Sequence, residues 1–231
     1  MNGRRLLAGL VLGAALAACA RGDDGLAATV RRLTPSVVLL SMRIPPLHKG
    51  DHYDDAYASG FVVASGSWGS DILTVEHAVD GAWHLQITIG NRRSAPVKVV
   101  AVNTKLDVAL LRTTASNLPV VPLGSSANLE PQVGRSVALL GYPVPDEFQD
   151  EGLGLATSID TGLLSSVRDD ALEVTLSIVP GESGAPVFFS DSGEVIGLAD
   201  SRFDDEHSIG FAVPIDDAKA LLHRADAAHG F

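Results

Sequence analysis

Three segments of the chain hold the side chains that serine-based acyl transfer requires. A serine hydroxyl is a weak nucleophile and needs a neighbouring base to take its proton. The base must be held in one tautomer by a carboxylate, and the developing oxyanion needs fixed N–H donors. Ser183 lies in the glycine- and proline-rich turn of residues 180–186, His77 directly follows an apolar run, and Asp107 directly precedes one. These three residues are therefore the candidate nucleophile, base and orienting acid.

Each of these three signals also has a purely structural interpretation. The serine segment could be an ordinary hairpin turn, the histidine a packed side chain, and the aspartate a turn residue. The chain order His77, Asp107, Ser183, with separations of 30 and 76 residues, is that of chymotrypsin-type enzymes, whereas α/β-hydrolases run Ser, acid, His. The spacing predicts His77 and Asp107 in a first barrel, Ser183 in a second, and a site in the cleft between them.

The elements that must position these residues are short strands. From Ser36 onward, apolar and β-branched runs alternate with clusters of Gly, Asn, Asp and Pro, which favours an all-β fold. A break rich in Pro, Gly and Ser divides the runs into two sets. We therefore predict two antiparallel six-stranded β-barrels of the chymotrypsin-like type, at about 36–115 and 133–214, and a closing helix at 215–228.

Several segments together resemble one known family, the HtrA/Deg branch of the trypsin-like serine proteases, in register across about residues 36–231. The matching segments are Ser59-Gly60-Phe61-Val62-Val63, Ile72-Leu73-Thr74 with Glu76-His77-Ala78-Val79, Leu106-Asp107-Val108-Ala109-Leu110-Leu111, Leu140-Gly141-Tyr142-Pro143, Gly162-Leu163-Leu164-Ser165, Gly181-Glu182-Ser183-Gly184, Gly193-Glu194-Val195-Ile196-Gly197 and Gly210-Phe211-Ala212-Val213-Pro214.

The resemblance implies a role for each candidate residue. His77 would be the general base, Asp107 its orienter and Ser183 the nucleophile, with the backbone N–H groups of Gly181 and Ser183 as the oxyanion hole. It implies a serine endopeptidase that cleaves unfolded or envelope proteins through an acyl-enzyme, without a cofactor. The alternative is a latent or silent protease-fold lipoprotein that binds peptides, with its oxyanion loop held inactive.

The chain departs from the family pattern in three respects. Ala185 replaces a glycine, which is tolerable if its φ is negative. Glu182 replaces the usual asparagine, and we expect its side chain to point outward while bringing a charge near the cleft. The sequence ends at Phe231 soon after the closing helix, so we expect no PDZ domain on this chain.

The substrate pocket is less sharply defined by the resemblance. Ser177 lies six residues before the nucleophile, where trypsin-like folds place the base of the S1 pocket. A serine there argues against a trypsin-like preference for Arg or Lys and favours a hydrophobic or small P1 residue. Asp200, Ser201 and Arg202 are expected on the strand that pairs with the substrate backbone, and Gly210 completes the predicted pocket.

The N-terminus has the pattern of a bacterial lipoprotein leader. Arg4 and Arg5 precede an apolar run that is too short for a membrane span, and this run ends at Leu16-Ala17-Ala18-Cys19. We predict a signal peptide at 1–18, lipidation of Cys19 and a tether with a short helix at 19–35. An ordinary cleavage site beside a cysteine is the alternative. By resemblance to Gram-negative lipoproteins, the alanine after Cys19 favours the periplasmic face of the outer membrane.

The composition limits the classes of partner that the protein is expected to bind. The formal net charge of −11 argues against nucleic acid and anionic lipid, so the expected partners are polypeptide substrates and a membrane reached through lipidated Cys19. An oligomer is possible and is not determined by the sequence.

The polar stretches 45–57 and 146–154 are predicted surface loops. The first contains possible metal ligands that we interpret as incidental, so no metal is expected: His48, Asp51, His52, Asp54 and Asp55.

Overall fold

The computed structural model describes residues 22–45, 54–90, 93–200 and 209–229. Within these ranges the chain forms two closed antiparallel six-stranded barrels, which confirms the predicted fold class. A helix α1 (Gly22–Leu33) precedes the first barrel, and a helix α3 (Ile215–His229) follows the second.

The first barrel carries the segments that end in His77 and begin with Asp107. Its strands, paired in the closed order β1-β2-β3-β6-β5-β4, are β1 Val37–Ile44, β2 Asp54–Gly66, β3 Gly69–Thr74, β4 Trp83–Ile89, β5 Arg93–Asn103 and β6 Val108–Thr113. Asp71 of β3 lies opposite Arg112 of β6. Their side chains form a bidentate ion pair with N···O distances of 2.6 and 2.8 Å, which fixes the β3–β6 register on that face.

The second barrel carries the serine loop. Its strands, paired in the closed order β10-β11-β12-β9-β8-β7, are β7 Ser136–Gly141, β8 Ser158–Val167, β9 Leu172–Val174, β10 Pro186–Phe189, β11 Val195–Asp200 and β12 Gly210–Pro214. A short helix α2 (Pro145–Asp150) lies between β7 and β8, and 3₁₀ turns occupy Thr34–Ser36 and Glu130–Gln132.

One apolar cluster joins the two barrels. It contains Leu39 and Phe61 of the first barrel together with Leu140 and Phe188 of the second, all at most 1% exposed. The closing helix adds Ile215, Ala218 and Leu221 to the same cluster. Because protein interiors are close-packed, this shared core fixes the barrels against each other and so fixes the cleft between them.

The two predicted surface loops are partly regular structure. Strand β2 begins at Asp54, inside the stretch predicted as a loop, because its first residues pair with the end of β1, Ile44 opposite Asp54. Helix α2 occupies most of the second stretch; Pro145 at its start and acidic residues in its first turn favour a helix N-terminus. Helix α1 lies within the stretch 19–35, where the sequence predicted a tether with a short helix, and it begins at Gly22. Among the described residues no helix is long and apolar enough to cross a membrane.

Candidate active site

Both carboxylate oxygens of Asp107 are hydrogen-bonded to His77. Strand β3 ends at Thr74 and the chain turns through His77, while Asp107 lies in the turn that enters β6. Its Oδ1 accepts the backbone N–H of His77 at 2.8 Å, and its Oδ2 lies 2.7 Å from the His77 Nδ1. Asp107 has a positive φ of 52°, a conformation that aspartate tolerates better than most residues. The arrangement holds a hydrogen on Nδ1 and leaves Nε2 to accept a proton.

The loop that carries Ser183 lies against the strand that leads into His77. Ser183 is 6% exposed, and its carbonyl accepts the backbone N–H of Ser59 at 2.8 Å. Gly184 follows at φ +82°, where an added Cβ would lie 2.2 Å from the Thr74 Oγ1. Only glycine therefore lets the loop approach the first barrel this closely. The contact with Thr74 brings the serine loop to within three residues of His77 along the chain.

Ser59 of β2 is the residue that ties the two barrels together at this point. It is fully buried. Its hydroxyl donates to the Gly181 carbonyl at 2.8 Å and accepts the backbone N–H of Tyr142 at 3.0 Å, while its own carbonyl accepts the Thr74 hydroxyl at 2.8 Å. Sequence reasoning assigned Ser59 no role, because only the fold brings residues 122 positions apart into contact.

The peptide between Pro180 and Gly181 has a defined orientation. The Pro180 carbonyl accepts the Val144 N–H at 2.8 Å. Because this peptide bond is trans, the Gly181 N–H points the opposite way, and no backbone acceptor within the described residues takes it. Gly181 itself has φ +91°, and an added Cβ would lie 2.4 Å from the Tyr142 carbonyl oxygen. The loop thus presents a fixed donor on the side away from Val144.

Glu182, between this donor and the serine, is directed inward. It is 4% exposed, so the expectation that its side chain points outward was wrong. Its Oε2 accepts the Val179 N–H at 3.0 Å. Burial raises the pKa of the Glu182 carboxyl to about 7, the Val179 N–H opposes this, and the charge of Asp160 adds to it. A group that titrates near neutral pH therefore lies beside the candidate nucleophile.

The predicted pocket residues are distributed around this loop. Ser177 is exposed and its N–H donates to the Asp160 Oδ2 at 2.9 Å. An added Cβ at Gly210 would lie 2.7 Å from the Leu176 carbonyl oxygen, so glycine lets β12 approach this segment. Asp200 ends β11 and is 4% exposed; one of its carboxylate oxygens lies within 4.8 Å of ligand atoms of both His77 and Asp107.

Some predicted residues lie outside the described ranges. They are Cys19, Ser201 and Arg202 of the predicted sites and His48, Asp51 and His52 of the loop cluster. The two remaining members of that cluster, Asp54 and Asp55, are exposed at the start of β2. Ala185 is not among the described residues with positive φ, so an alanine methyl group is tolerated where the family has a glycine.

Comparison with known proteins identifies relatives. The family model described as the trypsin-like peptidase domain matches residues 58–198. The chain is 33% identical over 188 residues to a probable periplasmic serine endoprotease, DegP-like, of Halomonas elongata, covering 76% of this chain and 36% of that protein. It is 31% identical over 181 residues to the putative serine protease HhoB of Synechocystis, covering 73% and 40%. The chain thus spans about two fifths of the length of these relatives.

A solved structure has the same architecture. The serine endoprotease from Yersinia pestis superposes with a TM-score of 0.68 at 27% sequence identity. The match covers 87% of this chain and 66% of that one.

Proposed function

The chain belongs to the family of trypsin-like peptidases, and we propose that it is a serine endopeptidase that hydrolyses peptide bonds through His77, Asp107 and Ser183. The observation that carries the proposal is the pair of hydrogen bonds between His77 and the Asp107 carboxylate, with 2.7 Å between the His77 Nδ1 and the Asp107 Oδ2. The relatives named as serine endoproteases support the reaction class. Its substrates would be unfolded or exposed polypeptides with a hydrophobic or small P1 residue.

The mechanism follows from the hydrogen bonds. Asp107 keeps the hydrogen on Nδ1, so Nε2 of His77 takes the Ser183 proton as the Oγ attacks the substrate carbonyl. The imidazolium that forms is stabilised by the Asp107 carboxylate and returns its proton to the leaving amine. The acyl-enzyme is then hydrolysed by water, which His77 activates in the same way.

The orientation of the Pro180–Gly181 peptide supports a formed oxyanion hole. With the Pro180 carbonyl bonded to Val144, the Gly181 N–H is left to donate to the oxyanion of the tetrahedral intermediate, and the Ser183 N–H would be the second donor. One such donor contributes about 10²–10³-fold to kcat. The alternative is a peptide-binding protein with an inactive loop. It would require the Pro180–Gly181 peptide bond to flip, so that the Gly181 N–H no longer points toward the oxyanion.

A fluorophosphonate probe tests the assignment. The full chain should be labelled, and the label should be lost in Ser183→Ala and kept in Ser192→Ala, a half-buried serine in the turn between β10 and β11. Turnover of unfolded casein should fall on the order of 10⁴-fold in Ser183→Ala. A label that persists in Ser183→Ala rules out this nucleophile. Casein binding without cleavage from pH 5 to 9 would favour the latent alternative.

We also propose an envelope location with a lipid anchor on Cys19. The leader-like order of positive charge, apolar run and cysteine supports the anchor, and the relatives named as periplasmic support the compartment. Several acyl chains on one residue anchor more stably than one. Metabolic labelling with a palmitate analogue should tag the parent protein and not Cys19→Ser. An equal label in both would exclude this residue as the attachment site.

A further inference from the structure

Two successive β-turns of the serine loop share Glu182. The Glu182 N–H donates to the Val179 carbonyl at 3.0 Å, and the Glu182 carbonyl accepts the Ala185 N–H at 2.9 Å. Each turn has a glycine of positive φ at its third position, Gly181 at +91° and Gly184 at +82°, as type II turns require. Glu182 is therefore the corner between the residue with the proposed oxyanion donor and the candidate nucleophile.

The side chain of Glu182 closes the first of these turns a second time. Its Oε2 accepts the Val179 N–H at 3.0 Å, so the N–H and the carbonyl of Val179 are both bonded to Glu182. Glu182 is 4% exposed, and a hydrogen bond shielded from water in this way is stronger than an exposed one. The two ends of the turn are thus held together by two bonds where most turns have one or none.

The end of β7 accommodates this side chain. An added Cβ at Gly141 would lie 3.2 Å from the Glu182 Cγ, so the glycine leaves room for the side chain beside the strand end. The chain then continues to Val144, whose N–H donates to the Pro180 carbonyl at 2.8 Å. The Pro180–Gly181 peptide is therefore held by Val144 on one side and by the turn that Glu182 closes on the other.

The bond to Val179 does not require a charge on Glu182. Burial raises the pKa of its carboxyl to about 7, so both protonation states are populated near neutral pH. The neutral and the ionised carboxyl each keep an oxygen that accepts a hydrogen bond. A neutral amide of the same length should therefore replace the carboxyl in this role, whereas a side chain without a strong acceptor should not.

We propose that Glu182 is a positioning residue, whose carboxyl fixes Val179 and so holds the Gly181 N–H toward the oxyanion. It acts through the turn of residues 179–182 and not on the substrate itself. This role rests on the proposed protease function, whereas closure of the turn does not. A donor displaced by about 1 Å can cost about 10²-fold in rate. The loss should fall on kcat, because an oxyanion donor acts chiefly in the transition state.

Two uncharged variants of similar length separate the hydrogen bond from the packing. Glu182→Met fills the space with only a weak acceptor, and Glu182→Gln keeps an oxygen for the Val179 N–H. In casein cleavage by the full chain, Glu182→Met should lower kcat by about tenfold or more and change KM less than about threefold. Glu182→Gln should change kcat less than about threefold. Glu194→Met, at an exposed glutamate in the turn between β10 and β11, is the matched control and should behave as the parent.

Hydrogen exchange of the Val179 amide, measured by NMR in the Ser183→Ala background, reports the turn without activity. Exchange should be about tenfold faster in Glu182→Met, because the amide loses its acceptor, and nearly unchanged in Glu182→Gln. Circular dichroism at the assay temperature checks that each variant is folded. Glu182→Ala replaces Glu182→Met in both measurements if the latter is unfolded.

Each result has a defined consequence. A folded Glu182→Met whose kcat falls less than about tenfold overturns the proposal. Equal losses of kcat in Glu182→Met and Glu182→Gln also overturn it, because an acceptor for the Val179 N–H would then not be what matters. A loss of kcat without faster Val179 exchange overturns the route through Val179. A parent that neither cleaves casein nor reacts with the fluorophosphonate, while Val179 exchange responds as expected, contradicts the protease assignment and leaves closure of the turn by Glu182 supported.

Discussion

The buried carboxyl of Glu182 makes the stability of the protein depend on pH around neutrality. Its pKa is raised from the ordinary 4.5 to about 7, chiefly by burial. Between these values the folded protein keeps a proton that the unfolded chain has released. The free energy of unfolding that this group contributes is therefore fully present below pH 4.5 and is lost as the pH rises through about 7.

The size of the effect follows from the two pKa values. One pKa unit corresponds to about 1.4 kcal/mol at 25 °C, so the rise from 4.5 to about 7 corresponds to about 3 kcal/mol. Glu182→Gln keeps the shape and an oxygen that can accept the Val179 N–H, and it cannot ionise. The variant should match the parent near pH 4.5 and exceed its unfolding free energy by up to about 3 kcal/mol at pH 8.

Urea unfolding across pH 4.5–8.5, with both proteins in the Ser183→Ala background, measures this difference. For a domain of this size, 3 kcal/mol corresponds to a shift of roughly 6–12 °C in Tm. Glu147→Gln, an exposed residue of α2, is the matched control, and its difference from the parent should change with pH by at most about 1 kcal/mol. A difference between Glu182→Gln and the parent that does not change with pH would refute the account of Glu182.

Three further substitutions test the surroundings of the site. Gly181→Ala should lower kcat/KM about 100-fold, because its Cβ would lie 2.4 Å from a carbonyl oxygen. Gly134→Ala is the control, since Gly134 has the same φ of +91° but open space around it, and this variant should remain active. Equal activities of the two variants would contradict the clash. Ser59→Ala should cost about 1–3 kcal/mol and much of the activity by removing two loop hydrogen bonds. Ser36→Ala is its control in urea unfolding, because that buried hydroxyl has no partner within the described residues. Arg112→Met should cost about 3–5 kcal/mol by leaving its buried carboxylate partner unpaired, and a Tm equal to that of the parent would argue against this.

The sequence predicted the fold and the three candidate site residues for the same physical reason. His77 and Asp107 sit at the ends of apolar runs that become β3 and β6, and strand ends deliver side chains to a rim of the barrel. Ser183 lies in a loop whose glycines adopt positive φ, which local composition reveals. Local patterns of this kind need no knowledge of tertiary contacts, which is why they can be recognised in a single sequence.

The remaining features of the site depend on contacts between distant segments. The role of Ser59 follows from bonds to Gly181 and Tyr142 in the other barrel, and nothing around Ser59 in the sequence indicates them. The inward direction of Glu182 depends on how the serine loop packs against the second barrel. Asp200 was expected to contact the substrate strand, and only the β10–β11 pairing reveals its approach to His77 and Asp107.

Three buried acidic side chains, whose burial costs folding free energy, lie where the two barrels meet. Asp107, Glu182 and Asp200 are each at most 4% exposed, and burial of charge opposes folding unless partners offset it. The apolar cluster shared by both barrels and the Ser59 hydrogen bonds act at the same contact surface and supply that offset. Separation of the barrels would remove the cluster and would part the loop of Ser183 from the turn of His77. The candidate site should therefore be lost in the same cooperative transition as the fold, with no active state in which one barrel has unfolded.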